Sequence, residues 1–284
     1  MGHGRSPEYY DAPMYVEISA GRINTVTTGG EGPVVVFLHG IPTHSYLWRN
    51  ITSLLPSFKT VLIDLLGYGY SDKPSDKSLS LTSQAGYVAE VLSKLGVGSA
   101  HIVGHDIGGG VAQILAVSRP ELVKSLILID SAGLDYWPIP EIARLKDPAW
   151  DRIVERIDLR EGFMRGFMKG MVRKERVNDE LVGEYVRPFA DLEGRRAYLR
   201  VARALDFRDT MKIADDLKKL EKPALLIWGS EDDYIPPRRG EQLKQAIKDA
   251  KLILLSDAGH FSPEDQPEAI AAIIRGYVEI LERR

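Results

Sequence analysis

The sequence predicts an α/β chain: a mostly parallel, doubly wound sheet with a helical cap inserted past its middle. Three observations predict it. Short apolar, β-branched runs alternate with helical patterns along most of the chain, which is the rhythm of βαβ units. Most of these runs lack polar alternation, as strands buried on both faces of a parallel sheet do. Residues 134–215 carry helical patterns without a buried strand, between segments that keep the strand–helix rhythm.

The elements follow in order. The opening "MYVEISAGRINTVTT" alternates more than later runs and holds a hairpin-like pair, Ala20-Gly21, so it is expected to add antiparallel strands at the sheet edge. A strand follows at residues 34–38 of "PVVVFLHG", then a helical pattern in "SYLWRNITSLL" and a strand at 61–63. The helix of "TSQAGYVAEVLSKLG" starts at a Thr/Ser cap and stops at Gly96. Strands at 101–103 and 126–129 flank the helical "GGVAQILAVSRP". After the gap come strands at 224–227 and 252–255, and "PEAIAAIIRGYVEILERR" closes as a helix. The expected division is a core of residues 1–133 and 216–284 and a cap of residues 134–215.

Composition bounds the function. The 284 residues are 44% hydrophobic, enough for a large core. Net charge is −3 and the pI about 6.1, with no block of like charge to suit nucleic acid or an acidic membrane. The expected partners are a small, largely apolar, uncharged substrate and water. There is no cysteine, which excludes disulfides, thiolate chemistry and zinc–cysteine sites and suits the expected cytoplasmic location. "MGHGRSPEYY" lacks the apolar core of a secretory leader, and no run approaches the roughly 18 apolar residues of a membrane span. No histidine pair has metal-ligand spacing, so neither metal nor cofactor is expected. The oligomeric state stays open, a homodimer included.

The chemistry centres on "GHDIG", residues 104–108, between a strand and a helix. This is the setting of a nucleophile elbow, with Asp106 where serine is the common occupant. Asp232 in "WGSEDDYIP" and His260 in "DAGHFSPEDQPE" each follow a later strand, and ligands of open α/β sheets bind at those strand ends. Taken alone, Asp106 could be a turn residue; the downstream pair makes it a nucleophile. Serine needs a base before it attacks, whereas a carboxylate with a pKa near 3.9 is already an anion. It can displace a leaving group from saturated carbon and form an alkyl ester. His260, oriented by Asp232, then draws a proton from the water that attacks that ester. No Gly-x-Ser-x-Gly occurs, which counts against a serine esterase.

With these motifs the chain resembles the α/β-hydrolase fold, specifically its aspartate-nucleophile branch of epoxide hydrolases and haloalkane dehalogenases. "HGIPTHSYLWRN", "DLLGYGYSDKP", "WGSEDDYIP" and "GHF" carry the resemblance over nearly the whole chain. It implies Asp232, four residues before Pro236, as the acid rather than Glu231 or Asp233. It implies an oxyanion hole from the backbone N–H groups of Ile107 and Ile41, and a substrate pocket with His39, Pro42, Tyr136 and Trp137. Haloalkane dehalogenases hold the halide with a Trp after the nucleophile and an Asn or cap Trp. Here Ile107 and Ile41 occupy two of those positions, and Trp137, more naturally a packing residue, is the one replacement. The "PTHSYLWRN" run nonetheless looks dehalogenase-like. No Arg adjoins Asp106 as in fluoroacetate dehalogenases. Epoxide hydrolases protonate the leaving alkoxide with cap tyrosines; Tyr185 and Tyr198 rank level here and Tyr136 third. Epoxide opening to a vicinal diol is the leading reading, dehalogenation or another hydrolysis by the same aspartate the alternative, and a binding role on the fold the third. Among the other histidines, His39 and His105 are expected to brace loops, His101 to pack within its strand, and His3 and His44 to lie on the surface.

Overall fold

The computed structural model describes residues 14–283; the reading of "MGHGRSPEYY", His3 included, lies outside them. Among the described residues eight strands form one sheet in the order β1-β2-β4-β3-β5-β6-β7-β8, with β1 Met14–Ile18, β2 Gly21–Gly29, β3 Val34–Leu38, β4 Lys59–Ile63, β5 Ala100–His105, β6 Val123–Ile129, β7 Ala224–Gly229 and β8 Lys251–Leu255. The pairs β1–β2 and β2–β4 are antiparallel and every other pair is parallel. The alternating opening segment thus forms the antiparallel edge that its pattern predicts. Its turn sits one residue earlier than Ala20-Gly21. Ile18 pairs with Gly21, so Ser19 and Ala20 make the turn, and Gly21 opens β2 at φ +137°, which an L-residue rarely adopts.

Every residue of β5 and β7 is buried, as continuous apolar runs require. β8 departs from that expectation. It is the last strand of the sheet, and Ile253 and Leu254 are 36% and 51% exposed.

Among the helices of eight residues or more, α1 (Leu81–Lys94) is capped by Ser80, whose Oγ accepts from the Ser83 amide, slightly ahead of the predicted Thr82–Ser83 start. α2 (Ile107–Ser118) leaves the elbow at the end of β5. "SYLWRNITSLL" makes only a 3₁₀ turn, Ser45–Trp48, and one α-turn, Arg49–Thr52. Between β6 and β7 lies a helical insert with α3 (Leu159–Gly170), α4 (Asp179–Val186) and α5 (Leu192–Ala204), capped by Asp158, Asn178 and Asp191. α6 (Pro237–Ala246) and α7 (Pro267–Glu282) complete the fold. No helix among the described residues is long and apolar enough to cross a membrane. The parallel strands β5, β7 and β8 run the same way, so the segments bearing Asp106, Asp232 and His260 emerge at one end of the sheet.

Candidate active site

Asp106 occupies the turn between β5 and α2 at φ 51° and ψ −121°, a backbone that non-glycine residues adopt rarely and at a cost of about 1–3 kcal/mol. The flanking glycines make the turn fit. A Cβ on Gly104 would lie 2.5 Å from the Gly108 carbonyl oxygen, and one on Gly108 would lie 2.3 Å from that of Leu38. The elbow projects the carboxylate toward the "HGIP" loop after β3. There the Ile41 amide donates to Asp106 Oδ1 at 2.9 Å, and the Ile107 amide also supports the charge. Burial pushes this carboxyl above the usual carboxylate range, while His260 and the two amides oppose the rise.

His260 Nδ1 donates to Asp232 Oδ2 at 2.9 Å, and its Nε2 stands 3.8 Å from Asp106 Oδ2. Burial lowers the imidazole pKa, but the carboxylates of Asp232, Asp106 and Asp130 outweigh it and raise the group to about 9. Asp232 Oδ1 accepts from the amides of Tyr234 and Ile235, both at 2.8 Å, whereas Glu231 and Asp233 are exposed. His105 donates from Nε2 to the His260 carbonyl at 2.8 Å, and its own pKa is driven well down by burial. Behind the pair lies Asp130 at the end of β6. It accepts from the Gly229 amide and from Ser262 Oγ, at 2.7 and 2.5 Å, which ties the acid and base loops together.

Of these groups, Asp106 and His260 line a cavity of about 330 Å³. Ile41, Pro42, Asp106, Ile107, Tyr234 and His260 come from the core, and Trp137, Phe163, Phe167, Tyr198 and Leu205 from the insert. The wall is apolar; of its charged members Arg144, Arg165 and Lys169 are exposed.

A family model described as the alpha/beta hydrolase fold matches residues 33–267. The chain belongs to that family. Within the alpha/beta hydrolases it is 30% identical over 247 residues to the uncharacterized hydrolase YugF of Bacillus subtilis (strain 168), covering 86% of this chain and 89% of that one. It is 29% identical over 273 residues to haloalkane dehalogenase 2 of Mycobacterium tuberculosis (strain ATCC 25618 / H37Rv), covering 92% of each. The solved structure of epoxide hydrolase CorEH, determined without ligand, superposes with a TM-score of 0.83 at 26% identity, over 95% of this chain and 99% of that one. Both lineages of the aspartate-nucleophile branch are therefore among its relatives.

The alpha/beta hydrolase site brings Asp106, His260, Asp232, Ile41, Ile107, Pro42, Trp137 and Tyr198 together and leaves three expected residues outside. Tyr185 does not line the cavity. It is fully buried, stacked on Phe167, and donates to Glu264 Oε1 at 2.5 Å. Glu264 also holds Arg49 with two contacts, at 2.6 and 3.0 Å, and this buried carboxylate captures the phenol. Tyr136 is likewise outside, its hydroxyl donating to the Ser131 carbonyl at 3.0 Å. His39 is not a pocket residue: Nδ1 meets Gly40 O at 2.9 Å, Nε2 accepts from the Leu65 amide, and burial pushes its pKa down to about 4. It braces the loop, as does His105. His101 packs in its strand against Ser125 and Glu282. His44 is buried rather than on the surface, wedged against Tyr70 and Tyr185.

Trp137 lines the cavity, but its Nε1 donates to Thr210 Oγ1 at 2.8 Å. Tyr198 keeps its hydroxyl without a hydrogen bond to any described residue. Sequence reasoning misses Tyr234. Its ring stands edge-on to His260 at 5.3 Å and its hydroxyl donates to Gly166 O at 3.1 Å. Its signal is its place, two residues after Asp232 at the end of a core strand.

Proposed function

We propose that this hydrolase opens epoxides to vicinal diols through an Asp106 ester. Tyr198 carries the reading: it is a phenol with no hydrogen-bond partner among the described residues, and it lines the same apolar cavity as Asp106. Asp106 Oδ2 attacks a ring carbon, forming one C–O bond while the ring C–O bond breaks. Tyr198 protonates the departing alkoxide; burial raises its pKa, so it holds the proton until that charge develops. Oδ1 already sits against the Ile41 amide, the place where oxyanion charge collects when water attacks the ester carbon. His260 takes one proton of that water, the other passes to the departing ester oxygen as the tetrahedral intermediate collapses and Asp106 leaves as carboxylate, and the proton held by His260 returns to the tyrosinate. The sum is epoxide plus water to diol. The cavity volume lies at the small end of ligand pockets, and its wall suits a compact, uncharged, apolar substrate.

Dehalogenation by the same carboxylate is the second reading, favoured by the likeness to haloalkane dehalogenase 2 and by the indole of Trp137 in the cavity. Against it stand two isoleucines where halide donors would be and an indole N–H already given to Thr210. Matched panels of terminal epoxides and 1-haloalkanes, assayed for diol and for free halide, test the proposal. Diol formation abolished in Asp106→Asn supports it; halide release without diol formation overturns it.

A further inference from the structure

We propose that Asp265 is a positioning residue for His260, tying the loop that carries the imidazole to the end of the pocket-lining helix α3. The inference rests on the Asp106-ester reading and assigns the residue to the water-activating half of the reaction.

Asp265 is fully buried, and among the described residues no cationic side chain pairs with its carboxylate. It spends its charge on backbone amides instead. Oδ2 accepts from Gly259 at 2.9 Å and from Val172 at 3.0 Å, and Oδ1 from Arg173 at 2.9 Å. Gly259 immediately precedes His260, and residues 172–173 lie just past the end of α3. A second tie lies on the other side of the histidine, where the Phe261 amide donates to Gly170 O at 3.1 Å. The two backbones touch between these ties: a Cβ on Gly259 would fall 2.3 Å from Gly170 O. The residues flanking His260 are thus both anchored on the insert, Gly259 through Asp265 and Phe261 directly. Charge-assisted bonds of this kind are roughly twice as strong as neutral ones.

The two chemical steps need this anchorage unequally. Attack by Asp106 uses a group held by its own elbow and needs no proton removed by His260. Ester hydrolysis needs Nε2 in register with a water and the ester carbon, and a misplacement of about 1 Å can cost on the order of 10²-fold. Loosening the loop therefore separates the steps, where a general loss of packing slows both.

The test uses styrene oxide with the full chain, following adduct formation and decay on Asp106 by quenched-flow mass spectrometry. Asp265→Asn keeps the volume but turns an NH₂ toward one of the amides. Its adduct should form within about threefold of the parent rate and decay at least roughly tenfold more slowly. Arg173→Pro removes one donor at a residue whose φ is already −78°, a value proline accepts. It should slow decay in the same selective way, and it decides the matter alone if Asp265→Asn does not fold. Equal slowing of both steps, or decay at the parent rate, overturns the positioning role. His260→Gln is run alongside: an adduct trapped there while the Asp265 and Arg173 variants behave like the parent overturns only this inference, whereas no adduct in His260→Gln overturns the ester reading beneath it as well.

Discussion

Replacing Asp106 by Asn should lower the pKa of His260 in the folded protein, besides abolishing turnover. The two groups face each other at 3.8 Å, Nε2 to Oδ2. Unit charges at that separation interact by about 1 kcal/mol at the dielectric of water and about 4 kcal/mol at an effective value of 20. One pKa unit is about 1.4 kcal/mol, so removing the charge should lower the imidazole pKa by roughly 1 to 3 units. The parent value is about 9, held there by Asp232, Asp106 and Asp130 against burial. The variant should titrate between about 6 and 8, with Asp232 and Asp130 still in place. The assay is a pH series of ¹⁵N-edited imidazole spectra, with intact mass confirming that the introduced side-chain amide has not deamidated. A midpoint within about half a unit of the parent would refute the reasoning. The same shift has a stability signature. Because the folded-state pKa is raised above its ordinary 6.5, the stabilisation is complete below about pH 6.5 and is lost as pH rises through about 9. Its ceiling is about 3 kcal/mol, and the alkaline loss should shrink in the variant. Under the proposed chemistry, esterification of Asp106 removes the same charge, so alkylation would convert a protonated imidazole into a competent base.

Other outcomes follow from the same geometry. His260→Gln should accumulate a covalent adduct on Asp106 in intact-mass spectra, since attack precedes the histidine's step; turnover with no adduct would contradict the two-step scheme. Tyr198→Phe should slow epoxide alkylation by roughly tenfold or more, at the low end of general-acid effects, while a parent rate in stopped-flow would remove Tyr198 as the donor. Tyr185→Phe should leave that rate unchanged yet cost about 1–3 kcal/mol in urea denaturation, because a buried carboxylate loses its hydroxyl partner. Gly108→Ala should abolish activity and lower the melting temperature, since the new methyl meets the Leu38 carbonyl at 2.3 Å; an active, equally stable variant would show that the elbow yields.

Asp106, Asp232 and His260 are legible in the sequence because each follows a strand of the same parallel sheet, and strand polarity alone delivers them to one end. Ile107 is legible because it follows Asp106 in the chain, and Ile41 only through the resemblance of its loop to that of the aspartate-nucleophile branch. The tyrosines are not. Whether a phenol in a helical insert faces the cavity depends on which buried acceptor competes for it. Tyr185 goes to Glu264, seventy-nine positions away, and Tyr136 to its own chain turn at Ser131. Helical periodicity marks which face is buried but not what that face meets. His44 illustrates the same limit: its burial comes from Tyr185 and the Glu184 carbonyl, which only the fold brings near. Tyr234, by contrast, sits on a strand-end loop and could be found by the rule that locates Asp232.

The two oxygens of the Asp106 carboxylate are not equivalent. One rests against the Ile41 amide and the other faces the imidazole. Under the proposed chemistry the enzyme is a temporary donor of matter, and this asymmetry selects which oxygen it gives. The oxygen that attacks departs in the product, and the solvent oxygen that replaces it becomes part of the protein. A molecule that has turned over once therefore differs in atomic history from one that has not, although the two have the same formula and fold.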